Sequence, residues 1–372
     1  MLNLDNAVTY HYGKFPPQQL EYTKFISQLL NATSALARYD QCLKSMKNSE
    51  ILLAPLRNQE AVISSRMEGT ISTMDEILQY EADYGDSEQY SSEVRMDVIE
   101  TILYQRTLKN AQRAISQGYP LSKSMIKTMH QQLLSYGRGA NKSPGYFKNE
   151  QNYIADTGRK NILFVPISSI DLESGLDNLF NYINTSEDPE LVKTAITHLE
   201  FEALHPFKDG NGRIGRMLIT LMLWSSKQIS APHFYISGYL EDNKNIYIDM
   251  MRNVSKTGNW DDWCGFFIKA IEEQAIKNLA ISENIQNLYE QMKIELTNIL
   301  SSKWTVNVLD FIFTNPVFRN KNFTSKSGIP TGTANKIIST LVANDILVLK
   351  DKASGQRSAL YSFERLMKLV RV

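Results

Sequence analysis

An eight-residue interruption in a helical pattern decides most of the architecture open to this chain of 372 residues. Apolar residues recur at helical spacing from Glu190 to Leu204 and again from Arg213 to Ser225. Between them stands His205-Pro206-Phe207-Lys208-Asp209-Gly210-Asn211-Gly212. Pro206 disfavours α geometry at the residue before it, so the first helix has to stop at Leu204 and leave the His205 imidazole at its C-terminal edge. Gly210 and Gly212 permit a tight loop, and the helix that begins near Arg213 turns its positive end into that loop. Two helices joined by a short polar loop are therefore expected, with loop amides and a helix terminus converging on one point.

The rest of the chain reads the same way. Half-buried helical patterns run from Gln18 to about Lys47, from about Pro55 to Ser65, from about Tyr90 to Ser116 and from Leu121 to Leu134. They continue through Leu172–Ile183, Asn243–Val254 and Trp260 to about Ile294. Gly69 is a plausible helix stop before a restart near Thr73. Asn152–Ala155 and Asn161–Val165, separated by Asp156-Thr157-Gly158-Arg159-Lys160, read as a β-hairpin in a mostly helical chain. From about Trp304 the character changes: residues 301–372 hold 11 Lys plus Arg against 4 Asp plus Glu, although the whole chain is balanced at 40 and 40. Helices followed by a strand pair (Ile346–Lys350, Ser358–Phe363) around Gly355 suggest a winged helix-turn-helix there.

Composition excludes other classes. With 42% hydrophobic and 22% charged residues, the chain is neither disordered nor collagen-like, and at this length about two domains are expected. Only Cys42 and Cys264 are present, so a disulfide framework is not expected, and both read as buried thiols. The first residues lack a basic stretch followed by an apolar core, and nowhere do 18 apolar residues run together. The expectation is a cytoplasmic protein without a membrane span.

Each residue type in the loop has a chemical use. His205 is a candidate general base. The amides at Gly210 and Gly212 can converge on an oxyanion at a helix N-terminus. Arg213 and Arg216, three positions apart on the first turn, can clamp successive phosphoryl groups. Asp209 would crowd a triphosphate unless it held a divalent metal, with Mg²⁺ the natural choice. His198, Glu202, His205 and Asp209 step by four, three and four, but Pro206 and Gly210 break the helix that would gather them around zinc. His198 and Glu202 are therefore expected to be supporting groups. Trp260, Trp263, Phe266 and Phe267 recur at helical spacing, a pattern more often of core than of a base-stacking platform.

The segment resembles the signature of the Fic-domain family, H-x-F-x-[D/E]-G-N-G-R-x-x-R, at all eight fixed positions. His198-Leu199-Glu200-Phe201-Glu202 also resembles the family's lead-in, and the likeness extends over roughly residues 90 to 270. It implies transfer of AMP from ATP to a Ser, Thr or Tyr hydroxyl of a target protein, including self-modification. His205 would then be the catalytic base and Asp209 the Mg²⁺ ligand. Gly210, Asn211, Gly212, Arg213, Ile214, Gly215 and Arg216 would form the phosphate-binding run, while Phe207 would bury its ring and anchor the loop. The hairpin takes the place of the family's flap, where Tyr153, Ile154 and Ala155 would line up the target segment beside the nucleotide by strand addition. Relatives often carry an Arg before the flap, a Gly-Gly pair in it and a Pro-Pro exit, where this chain has Lys148, Ala155-Asp156 and Pro166-Ile167. Tyr247-Ile248 resembles a Tyr-rich element near the base and ribose, with Tyr247 the expected ligand contact.

Ser64-Ser65-Arg66-Met67-Glu68-Gly69 resembles the family's inhibitory pattern [S/T]-x-x-x-E-[G/N], with Ser64, Glu68 and Gly69 at the fixed positions. Glu68 would pair with Arg216 and stand where the γ-phosphate must lie. The expected fold class is mainly α: a Fic-fold helical core with a β-hairpin flap, plus a C-terminal winged helix-turn-helix. The expected division is 1–89 helical with the inhibitory motif, 90–275 catalytic core, 276–300 connecting helix and 301–372 winged helix. A homodimer is a family-level expectation. DNA is an open partner of the basic tail through Lys336, Lys352 and Arg357, although winged helices often mediate protein contacts instead. The alternative readings are AMP removal or another phosphate-group transfer on the same core, or a DNA-binding regulator whose core senses nucleotide.

Overall fold

The computed structural model describes residues 4, 6–45, 49–85, 94–156, 158 and 161–372. A two-residue strand β1 (Val8–Thr9) precedes helices α1 (Ile26–Lys44), α2 (Glu50–Met67), α3 (Met74–Tyr84), α4 (Met96–Ser116) and α5 (Lys123–Leu133). Strands β2 (Ile154–Ala155) and β3 (Ile162–Val165) come next, followed by α6 (Leu172–Thr185), α7 (Glu190–Leu204), α8 (Asn211–Ser225), α9 (Ser237–Asp242) and α10 (Lys244–Thr257). The 41-residue α11 (Trp260–Leu300) leads to α12 (Thr305–Thr314), β4 (Val317–Arg319), α13 (Asn320–Lys326), α14 (Thr331–Ala343), β5 (Val348–Asp351), β6 (Leu360–Ser362) and α15 (Glu364–Val370). The described chain is mainly α. Among the described residues no helix is long and apolar enough to cross a membrane.

The core is built around α7. Its apolar residues Leu191, Val192, Ala195, Ile196, Leu199, Phe201 and Leu204 go round the whole helix, and all are buried. A helix apolar on every side has to be enclosed by others. Neighbouring α8 is buried from Ile214 to Leu223, and α11 supplies Trp263, Cys264, Phe267 and Ile271 from the opposite direction. Trp263 donates its indole N–H to the Ala195 carbonyl of α7 at 2.8 Å, so the large ring is buried without an orphaned donor.

Several boundaries differ from the sequence expectation. Helix α2 begins five residues before Pro55, which lies inside it. The expectation starts the helix at the proline, where a missing N–H costs nothing; at the sixth helical residue Pro55 forgoes one internal hydrogen bond, which the packing of the helix offsets. The hairpin gains a third member: β1 pairs in parallel with β3, giving the order β1-β3-β2. The tip residues Thr157, Arg159 and Lys160, and the start of the helix expected from Tyr90, lie outside the described residues. In the tail, β4 joins the expected strand pair to form an antiparallel sheet of order β4-β6-β5, and α14 exposes Asn335, Lys336 and Ser339. Helices α13 and α15 were not anticipated.

Side chains from both sides fasten the tail to the N-terminal helices. The Arg319 guanidinium reaches Asp83 at 2.6 Å and Asp351 at 2.9 Å, and Arg371 holds Asp75 at 2.7 and 2.8 Å. Gln59, on α2, donates to the Val370 carbonyl at 2.7 Å. The tail therefore packs on α2 and α3, the pair that flanks Glu68.

Candidate functional site

The loop between α7 and α8 is fixed from several sides. His205 closes α7 in the left-handed region, φ 45° and ψ 62°, with its amide still donating to the Phe201 carbonyl at 3.0 Å. For a residue with a Cβ this costs roughly 1–2 kcal/mol, and such backbone persists where its surroundings over-determine it. Those surroundings are explicit. Lys148 donates through its amide to the Pro206 carbonyl at 2.8 Å and through Nζ to the Leu204 carbonyl at 3.0 Å and Asn152 Oδ1 at 2.7 Å. Asn152 Nδ2 then donates to the carbonyls of His205 at 3.0 Å and Phe207 at 3.1 Å. Asn211 clasps the Phe207 backbone from the other side, accepting from its N–H and donating to its C=O, both at 2.8 Å.

Phe207 is buried and stacks on His130 with ring centroids 3.8 Å apart. His130 Nδ1 accepts from the Gly145 amide at 2.9 Å, so its Nε2–H donates to the Asp209 carbonyl at 3.0 Å. Gly210, at φ 77°, turns the chain into α8, where a Cβ would be strained whatever the space.

The tautomer of His205 follows from its neighbour. Nδ1 lies 3.3 Å from the Glu202 carbonyl, which can only accept, so the proton sits on Nδ1 and Nε2 carries the free lone pair. Burial, with the nearby Lys148 ammonium second, lowers the imidazole from its ordinary range to about 4. At neutral pH the ring is therefore an unprotonated base.

The anion side of the loop is occupied by the protein's own carboxylate. Arg216 is buried and donates from Nε to Ser64 Oγ at 2.8 Å, and from Nη2 to the Ser64 carbonyl at 2.9 Å and to Glu68 Oε1 at 2.7 Å. A Cβ on Gly212 would lie 2.3 Å from Glu68 Oε1, so the acid rests directly on the first turn of α8. Burial raises the Glu68 carboxyl, but the charge and hydrogen bond of Arg216 outweigh it and hold the group below the usual carboxylate range. Its side chain keeps 35% exposure and so has a way out. Gly69 follows at φ 84°, letting the chain reverse after the acid.

Arg213 is the contrasting case. It is buried, its Nη2 stands 3.7 Å from Asp209 Oδ1, and its Nε and Nη1 have no hydrogen-bond partner among the described residues. A buried guanidinium with idle donors beside a helix N-terminus fits a phosphate group. Among the described residues no three His, Cys, Asp or Glu side chains gather to hold a metal ion. Asp209 alone, 42% exposed, matches the mode in which Mg²⁺ takes one carboxylate and completes its shell from substrate phosphates.

Next to His205 lies a cavity of about 140 Å³ between the hairpin, α7 and α10, lined by Ile154, Ala155, Phe164, Glu202, Ile248 and Met251 among others. Ile154 and Ala155 line this cavity, whereas Tyr153 is exposed on the hairpin. Tyr247 departs from the expected ligand contact. It is buried, and its hydroxyl donates to His198 Nε2 at 2.8 Å, because His198 uses Nδ1–H on the Gly215 carbonyl at 3.3 Å. Ile248, the next residue, lines the cavity instead. Ile214 is buried behind the loop, and Gly215 lies under the Glu202 carboxyl, where a Cβ would meet Oε1 at 2.3 Å. Burial raises that carboxyl to about 8 and leaves it neutral near pH 7. Lys148, Asn152 and His130 carry no signal in the loop's own sequence, because what they bind is backbone carbonyl.

Residues 26–113 match the Fic/DOC family N-terminal model and residues 120–223 the Fic/DOC family model, together more than half of the chain. A probable protein adenylyltransferase from Aquifex aeolicus (strain VF5) is 27% identical over 260 residues, 64% of this chain and 75% of that one. Protein adenylyltransferase Fic from Nematostella vectensis is 34% identical over 83 residues, 21% of this chain and 18% of that one. In fold, a Fic family protein from Desulfovibrio desulfuricans G20 aligns with TM-score 0.59 at 15% identity, over 94% of this chain and 98% of that one. A Fic domain containing signaling protein from Bacteroides thetaiotaomicron VPI-5482 aligns with TM-score 0.54 at 18% identity, over 68% of this chain and 96% of that one.

Proposed function

The chain belongs to the Fic/DOC family, and from that premise we propose that it is a protein adenylyltransferase that moves AMP from ATP to a hydroxyl of a target protein and is restrained by its own Glu68. The observation that carries this reading is the pairing of an imidazole with a free Nε2 and a buried Arg213 with idle donors, on either side of one loop. Relatives named protein adenylyltransferase support a transferase role.

In this reading His205 Nε2 takes the proton of the target's Ser, Thr or Tyr hydroxyl as its oxygen attacks the α-phosphorus. The bond from the α-phosphorus to the bridging oxygen breaks, and pyrophosphate leaves. Arg213 and the Gly212 amide receive phosphate charge, the expected Gly210 N–H being spent on Asp209 Oδ1 at 2.6 Å, and Arg216 receives the γ-phosphate once Glu68 has moved. Mg²⁺ on Asp209 would neutralise the triphosphate when bound. Asn211 serves by holding the loop, since its amide is spent on Phe207. Ile154 and Ala155 present the target segment along β2.

We read residues 1–89 as the inhibitory helical region, 90–275 as the catalytic core, 276–300 as a connecting helix and 301–372 as a winged helix, with DNA or protein as the partner of its exposed α14. Incubation with ATP labelled at the α- or the γ-phosphate tests the activity. Adenylylation labels protein from the α-label alone, and His205→Ala removes that label in a folded chain. Label from the γ-phosphate would replace this reading with a kinase, and none from either, in wild type and Glu68→Gly alike, would leave a nucleotide sensor.

A further inference from the structure

Four consecutive carbonyls, from Leu204 to Phe207, all accept hydrogen bonds from just two residues, Lys148 and Asn152, more than fifty positions earlier in the chain. We propose that Lys148 and Asn152 form a brace that holds the left-handed turn at His205, and that the Lys148 ammonium sets how strongly the His205 imidazole binds its proton. This inference rests on reading His205 as the base. Both are positioning residues, since their contacts run to the backbone around His205 and to each other.

Geometry makes the brace necessary. A histidine held at φ 45° relaxes towards ordinary backbone unless its flanking peptide groups are pinned. Pro206 can offer no N–H to help. The carbonyls of Leu204 through Phe207 would otherwise face protein with few donors, and an unmet buried acceptor is itself costly. Lys148, through its amine and its backbone N–H, and the Asn152 side-chain amide meet all four in the observed turn, with Asn211 donating as well to the Phe207 carbonyl.

A neutral donor would be enough for holding, so the use of an ammonium calls for its own explanation. Lys148 is 3% exposed, and its amine donates to a carbonyl and an amide oxygen rather than to a carboxylate. Burial lowers it from the ordinary lysine range to about 7. The charged groups that bear on the His205 ring are Lys148 from before the hairpin, Glu68 from the end of α2 and Asp209 across the loop. Lys148 is the one that pushes the proton off, while the two acids pull it on. Burial lowers the ring first and a charged Lys148 adds to it, so that Nε2 stays free as pH falls below 7, where an exposed imidazole would begin to protonate.

The test is a pH titration of the histidine ring nitrogens by NMR on the apo protein, which reports on the brace even if the chain transfers no AMP. Lys148→Met is expected to raise the His205 midpoint by about half a unit or more, since a like charge has been removed. In wild type, His205 is expected to register a second, smaller step near pH 7 as Lys148 titrates, and Lys148→Arg, whose charge is permanent, is expected to abolish that step. An unchanged midpoint in folded Lys148→Met overturns the electrostatic role. If Lys148→Met does not fold, the wild-type and Lys148→Arg pair decides: a wild-type curve without the second step overturns it. Asn152→Ala is expected to lower kcat for transfer with KM for ATP little changed, and equal kcat would remove the brace.

Discussion

Glu68 has one strong partner, Arg216, and an open side facing solvent. Replacing it with glycine frees the guanidinium and empties the place on Gly212, so Glu68→Gly is expected to raise AMP transfer, measured as initial rate with α-labelled ATP. An unchanged or lower rate in a folded variant would end the inhibitory reading. Gly212→Ala separates displacement from vacancy. Its Cβ would collide with Glu68 Oε1 at 2.3 Å, expelling the acid, but would also fill the ground needed by a phosphate. No gain in transfer is expected from it, in contrast to Glu68→Gly. The sign of the pH effect is also fixed. A carboxyl held below its ordinary value contributes its clasp above the unfolded pKa and loses it only as pH falls through the folded one. The ratio of Glu68→Gly to wild-type rates should therefore stay level between about pH 5.5 and 7.5. With His205 lowered to about 4, the Glu68→Gly enzyme is expected to keep most of its rate down to about pH 5, where an unshifted imidazole would be almost wholly protonated.

Among the elements, α2 decides where Glu68 stands. Arg66 forms a two-bond pair with Glu241 of α9, both contacts 2.6 Å, and Lys244 of α10 donates to the Met67 carbonyl at 2.8 Å. These clamp the last turn of α2 in addition to Arg216. Arg66→Ala removes a half-exposed pair worth about 1 kcal/mol, which would enlarge the released population about fivefold. A rise in transfer smaller than that of Glu68→Gly is expected, with faster amide exchange confined to the end of α2. The longer helices are legible because ten or more residues allow a 3.6-residue period to declare itself, whereas α9, α13 and α15, of six or seven residues, are not. Strands of two or three residues, such as β1 and β4, hold too few positions for any alternation to show. The loop's shape was legible from Pro206, Gly210 and Gly212, whose backbone limits are local. The brace by Lys148 and Asn152 was not, because carbonyl acceptors are the same at every residue and leave no mark on composition.

Across the whole molecule, the basic tail is bound to the N-terminal helices by charge. Arg319 is buried between Asp83 and the half-exposed Asp351. Deleting its guanidinium would strand a largely buried Asp83, and breaking such a pair costs about 3–5 kcal/mol. Arg319→Ala is expected to lower the unfolding free energy by about that amount in urea titration, with α3 losing amide protection before α7 does. A loss within a few tenths of a kcal/mol would show that the tail and α3 are joined by apolar packing alone.

Helix α11 gives this union a mechanical side. It is unbroken over 41 residues, about 60 Å long, with Trp263 and Phe267 sunk beside α7 and Met292 and Leu296 buried towards the tail. A rod of that length cannot yield at its middle as two separate helices could. It acts as a lever: a tilt of about 5° at one end becomes a displacement on the order of 5 Å at the other. Whatever grips the tail therefore also has a handle on α7, the helix that ends at the histidine.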